Sequence, residues 1–187
     1  MKKYLLLTLF AALLLPIYAI PQEIQWQNTI GGSDKDILGE IVQTSDGGYI
    51  LGGFSYSNIS GDKTENSNGI GDYWIIKTDS LGNIVWQNTI GGNSEDWLFA
   101  LEQTTDGGFI LGGWSTSDST GDKIENSNGQ SDYWIVKTDN LGNVQWQNTI
   151  GGSEQDELRA LAQTSDGGYI LGGDSRSPIS GDKSENS

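Results

Sequence analysis

The 187-residue chain has no cysteine and no histidine. Without cysteine there can be no disulfide, no lipid-modified thiol and no Cys-His nucleophilic pair, so stability outside a cell would have to come from packing. Without histidine, a Ser-His-Asp triad and a His-ligated zinc site are excluded. Basic residues are scarce: ten Lys and Arg stand against 25 Asp and Glu, a formal net charge of −15. Lysine and arginine neutralise a phosphate backbone, so nucleic acid is not an expected partner, and an anionic membrane surface is disfavoured for the same reason. Long apolar runs are missing too. The longest, Leu5–Leu15, is about half of a membrane span, so no membrane insertion of the mature chain is expected.

That run has a different meaning. Lys2 and Lys3 precede it, Pro16 breaks it, and Ile17-Tyr18-Ala19 ends on a small residue. Positive start, short apolar stretch and small cleavage residue predict a signal peptide over residues 1–19. The expected location is therefore secreted, extracellular or on the outer cell surface.

The chain is rich in glycine (27) and tryptophan (7). With β-branched and aromatic residues, this predicts short strands joined by tight turns. It also repeats. Trp26-Gln-Asn-Thr-Ile-Gly-Gly32 recurs at Trp86 and at Trp146, and residues 26–85 match 86–145 at 38 of 60 positions without a gap. A third copy, 146–187, is partial. The repeat region is read as 20–187.

Each full copy holds four strand-like runs. "EIVQTS" and "YILGGFS" flank Asp46-Gly47-Gly48, a strong hairpin signal because glycine accepts the positive φ of the turn. A polar loop follows, then "DYWIIKTD", which turns at "SLGN" into "IVWQNTIGG". The fold is therefore expected to be all-β, with repeated four-stranded antiparallel sheets, the blades of a β-propeller. Counting the first "IQWQNTIGG" as a strand gives an expected 11. Closed propellers typically have four to eight blades, so an incomplete, open propeller fragment is expected.

The combined pattern D-Y-W-I-[IV]-K-T-D-x-L-G-N-x-x-W-Q-N-T-I-G-G, then Q-T-[ST]-D-G-G-[YF]-I-L-G-G, resembles the β-propeller repeats of secreted and surface bacterial proteins, common in Bacteroidetes-type proteins with type IX secretion sorting tails. The resemblance implies a propeller fold and export. It implies little about activity, and no sorting tail is present.

Candidate chemistry is sparse. Asp46, Asp106 and Asp166 read as turn formers. Asp36, Asp96 and Asp156 read as ties between strands through buried hydrogen bonds. Asp72 with Lys77, and Asp132 with Lys137, are candidate ion pairs, within one strand or across strands. Trp26, Trp86 and Trp146 read as packing anchors. The loop Gly61–Gly69 and its copies offer hard oxygens of the kind calcium takes, but their spacing is not that of an EF-hand, so no cofactor is expected and calcium stays an alternative. A carboxylate pair of glycosidase type needs two different environments, whereas the recurrent aspartates sit in equivalent places. No phosphate-binding glycine loop occurs. The chain is not expected to be an enzyme.

A ligand is best sought where copies differ on a constant frame. Phe54, Trp114 and Asp174 follow "ILGG", and Tyr56, Thr116 and Arg176 come two residues later; Ile37, Trp97 and Glu157, then Gly39, Phe99 and Arg159, precede the hairpin. Of these, Phe54, Tyr56, Trp97, Phe99, Trp114, Arg159, Asp174 and Arg176 are the candidate ligand-facing positions. The expected function is a scaffold, adhesion or binding module for a protein or glycan at the cell surface. A carbohydrate-binding or carbohydrate-cleaving propeller and a calcium-stabilised surface protein are the alternatives.

Overall fold

The computed structural model of the chain describes residues 23–186. The leader expected over residues 1–19 lies outside them. Among the described residues there is no helix, and ten strands form three antiparallel sheets. The first sheet has the order β1 (Asp36–Gln43), β2 (Tyr49–Ser55), β3 (Asp72–Thr78), β4 (Ile84–Ile90). The second repeats it with β5 (Asp96–Gln103), β6 (Phe109–Ser115), β7 (Asp132–Thr138) and β8 (Val144–Ile150). The third holds β9 (Asp156–Gln163) and β10 (Tyr169–Ser175). Among the described residues no strand pairing joins the third sheet back to the first.

The hairpin turns follow from side-chain chemistry. Asp46 Oδ1 accepts hydrogen bonds from Thr44 Oγ1 (2.6 Å) and from the Gly48 amide (3.0 Å), an aspartate bonding its own turn. β3 and β7 are buried along their whole length or nearly so, as a strand covered on both faces must be.

The sheets stack face to face, and one contact recurs. Leu98 and Leu101 of β5 lie on Gly52 of β2, so close that a Cβ at Gly52 would stand 2.7 Å from Leu101 Cδ1 and 2.9 Å from Leu98 Cδ2. Leu158 and Leu161 of β9 lie on Gly112 of β6 in the same way, at 2.8 and 2.5 Å. Two leucines thus seat in the hollow that a missing side chain leaves. Around the first seam Ile50, Ile75, Leu98, Leu101, Leu111 and Trp134 form one buried cluster. Tyr73 spans it, its hydroxyl donating to the Trp134 carbonyl at 2.9 Å.

The strand expected over the first WQNTIGG is not formed. Residues 24–32 have no sheet partner among the described residues, and β4, which carries the second WQNTIGG, is held by β3. The segment still docks. The Trp26 ring lies 5.9 Å from Tyr49 and against Gly82, and Asn28 Nδ2 donates to the Gly82 carbonyl at 3.1 Å. Trp86 and Asn88 make the same contacts with Phe109 and Gly142. Trp146 keeps its ring neighbour, Tyr169, at 5.7 Å. The tryptophans are anchors between units, but Trp26 and Trp146 remain half-exposed.

Equivalent repeat positions should therefore differ in energetic weight. Leu98→Ala empties a fully buried site and is expected to cost about 2–5 kcal/mol. Leu38→Ala, at the same repeat position but exposed, should cost less than about 1 kcal/mol. Denaturant unfolding of the two variants at low protein concentration checks this; equal losses would contradict it.

Candidate functional site

The variable positions converge at one end of the stacked hairpins. Pairing sets Ile37 opposite Phe54, Trp97 opposite Trp114, and Glu157 opposite Asp174. The register of each inner strand then slips by one residue: between Leu38 and Glu40, between Leu98 and Ala100, and at Arg159 between Leu158 and Ala160. A bulge re-aims the side chain of its extra residue. Trp97 and Phe99, two residues apart on β5, share a face, with ring centroids 6.4 Å apart.

The result is an aromatic ladder crossing from the first unit into the second. Phe54 and Trp97 stack in parallel at 4.4 Å with a 5° interplanar angle, and Trp97 meets Trp114 at 4.7 Å. Tyr56 lies beside Phe54, its hydroxyl donating to Glu95 Oε1 at 3.4 Å. Burial and the Glu95 charge raise the Tyr56 pKa. The ladder ends in charge. The Arg159 guanidinium covers the Phe99 ring at 4.8 Å and pairs with Glu157 and with Asp174, the latter at 3.4 Å. Arg176, Gln155 and Ser175 join these three around a recess of about 410 Å³.

Exposure was the expectation at all eight candidate positions, and it holds for part of them. Arg159, Asp174 and Arg176 are exposed, and Tyr56, Trp97 and Phe99 are half-buried. Phe54 and Trp114 are buried, because the rings cover one another across the seam. The aromatics in the first two units therefore act as a clamp between sheets. The indole N–H of Trp114 is buried in that clamp with no hydrogen-bond partner among the described residues. Glu95, the partner of Tyr56, carried no signal in the sequence.

The recurrent aspartates flank this end, one residue before each variable pair, in the corners between units. Asp96 is fully buried and accepts from the Gly92 amide at 2.7 Å and from Ser117 Oγ at 2.9 Å. Asp36 and Asp156 take the equivalent bonds from Gly32 and Ser57, and from Gly152 and Ser177. Asp72 accepts from the amides of Asn68 and Gly69. Burial pushes the Asp72 carboxyl up to about 6, with the Asp96 charge acting in the same direction. Burial likewise raises Asp96 and Asp132. These carboxyls have unusual proton affinity but no access for a substrate.

The ion pairs expected between Asp72 and Lys77, and between Asp132 and Lys137, are not made. Lys77 Nζ pairs with Asp46 at 2.9 Å and Lys137 Nζ with Asp106 at 3.0 Å. Residues five apart on a strand point to opposite faces and lie about 17 Å apart. Both turn aspartates are held below the usual carboxylate range, first by the Thr44 or Thr104 hydroxyl; Asp106 lies at about 2.

The loop oxygens considered for calcium are engaged by backbone. Asp62 Oδ2 accepts from the Gly31 amide, Glu65 Oε2 from the Thr89 amide, and Asn66 Oδ1 from the Ile59 amide. Among the described residues no group of three or more acidic side chains is arranged to hold a metal ion, and no helix is long and apolar enough to cross a membrane.

No family model matches the chain. It is 29% identical over 164 residues to the regulatory protein FlaEY of Caulobacter vibrioides. The match covers 83% of this chain and 17% of that protein, so the chain spans about a sixth of its relative's length.

Two measurements bear on the site. For Asp72, a folded pKa near 6 against 3.8 unfolded means a stability contribution present below pH 3.8 and lost as pH rises through about 6. The melting temperature should therefore fall between about pH 4 and pH 6, and Asp72→Asn should flatten that slope. Second, a double-mutant cycle on Phe54→Ala and Trp97→Ala should give a coupling of about 0.5–1.5 kcal/mol in unfolding free energy; strict additivity would deny the clamp.

Proposed function

We propose that the chain is an exported, non-enzymatic repeat module whose sheets are propeller blades, and that it serves as a scaffold or binding module at the cell surface or outside the cell. The observation that carries this reading is where the variable residues lie. The constant aspartates and lysines are consumed in turns and corners, while the residues that change on the constant frame gather at one end of the stack. There Glu157, Arg159, Asp174 and Arg176 border an open polar recess. The resemblance to secreted propeller repeats and the signal peptide expected over residues 1–19 support export.

The partner is a polar surface, glycan or protein, that meets the recess. A glycan is the better supported ligand, because carboxylates, guanidinium groups and an aromatic ring edge stand side by side, the groups that bond sugar hydroxyls and stack on sugar faces. Glycan-array binding by residues 20–187 is the test. Binding should weaken at least about tenfold in Arg176→Ala, a loss of about 1.4 kcal/mol, with the melting temperature unchanged. Loss of binding with Trp114→Ala but not with Arg176→Ala would move the site to the aromatic clamp. No binding to any glycan would leave a protein partner. Export is tested separately, by finding the processed chain outside the cell.

A further inference from the structure

We propose that copies of this chain associate head to tail, the open face of the first sheet of one copy seating on the open face of the third sheet of the next. The chain already builds this interface twice within itself. Leu98 and Leu101 enter the hollow over Gly52, and Leu158 and Leu161 enter the hollow over Gly112. Among the described residues, the two halves of the same contact lie uncovered at opposite ends. At the first sheet, Leu38 and Ile41 stand at the repeat positions of those leucines and are 57% and 48% exposed. At the third sheet, Gly172 stands at the repeat position of Gly52 and Gly112, and a Cβ there would meet nothing within 4 Å. Ile170 beside it is 63% exposed, whereas Ile50 and Ile110 at its equivalents are fully buried.

Knob and hollow therefore match in shape and chemistry, and the internal seams supply the register. A polar bond marks it as well. The Ser45 amide donates to Gln103 Oε1 at 2.8 Å across the first seam, and the Thr105 amide to Gln163 Oε1 at 2.9 Å across the second. Across the seam between copies, Ser165 and Gln43 hold the equivalent positions. The two faces differ, so the contact is heterologous and propagates into a ring or an open chain of copies rather than a two-fold dimer. Apolar side chains exposed at such a face are what a partner covers. Charge opposes the union. The full chain carries a formal −15, residues 20–187 lack two of its lysines (8 basic against 25 acidic, −17), and Arg176 would face Lys35 at the rim. Association is therefore expected to tighten as salt rises.

Sedimentation of residues 20–187, which contain every described contact, is the test. The wild-type chain should show a mass that grows with concentration and with salt. Leu38→Asp combined with Ile41→Asp removes the knobs and should give a monomer. Gly172→Leu fills the hollow and should also give a monomer. Gly172 lies in open space with no positive φ, so this variant should keep the wild-type melting temperature. The decisive arm mixes the two variants. Each keeps one intact face, so an equimolar mixture should give a 1:1 complex and nothing larger. A wild-type chain that stays monomeric at every concentration, association untouched by both variants, or a mixture that fails to recombine would each overturn the proposal.

Discussion

The structure depends on a pair of leucines lying on a glycine. A sheet of four short strands buries too little by itself to pay for its own ordering, and a hairpin such as β9–β10 buries less still. Stability in such an array is carried by the interfaces between neighbours. Here the interface is made by subtraction. The absent side chain at Gly52 lets β5 come close enough for Leu98 and Leu101 to reach the core of the sheet before it. The strand sequences vary little from unit to unit, but their burial does. β6 is buried along its whole length, and β10, with a nearly identical sequence, is mostly exposed. Neighbours decide burial here more than strand sequence does.

The polar corners make the spacing between units exact where the leucines only make it close. Asp96 gathers an amide of the preceding segment and a serine of its own hairpin, and so ties one unit to the next. The Gly-Gly that ends each WQNTIGG is required by this corner. A Cβ on Gly91 would stand 2.1 Å from Asp72 Oδ1, and one on Gly92 would stand 2.5 Å from Ser117 Cβ. Desolvating these carboxyls raises their proton affinity, a cost offset by the amides that converge on them. The third corner shows the balance from the other side. Burial pushes Asp156 up, yet bonds from Ser175, Gly152 and Ser177 outweigh it, and its carboxyl lies below the usual value.

Much of this was legible in the chain itself. The four-strand unit, its order and its Asp-Gly-Gly turns follow from local signals that need no neighbour. What the sequence hid was relational. The first WQNTIGG has the composition of a strand, but a strand needs a partner, and the pattern at Trp26 says nothing of whether one is there. Lys77 reaches across strands to Asp46, one of the two arrangements the sequence left open, because strand periodicity turns Asp72 to the opposite face. The bulges at Gly39, Phe99 and Arg159 went unread, although leucines three apart on one face, such as Leu98 and Leu101, are a spacing that an unbroken strand does not give. Trp97 and Phe99, two residues apart, share a face by strand period, and the one-residue slip turns Leu98 and Leu101 together to the other.

The change of chemistry along those positions carries the functional argument further. Phe54, Trp97 and Trp114 bury one another, and rings that cover each other's faces have no face left for a ligand. The third unit breaks the series. Glu157 and Asp174 stand where the second unit has Trp97 and Trp114, and Arg159 turns back to cover Phe99. A guanidinium over a ring and between two carboxylates seals the end of the apolar ladder and opens a polar recess beside it. The recess lies next to the sheet whose outer face is open at Ile170 and Gly172. A copy seated on that face would bring its own Ile37 toward Asp174, as Trp97 comes toward Phe54 within the chain. Assembly and recognition then bear on the same residues, and the shape of the recess depends on what stands beside β10.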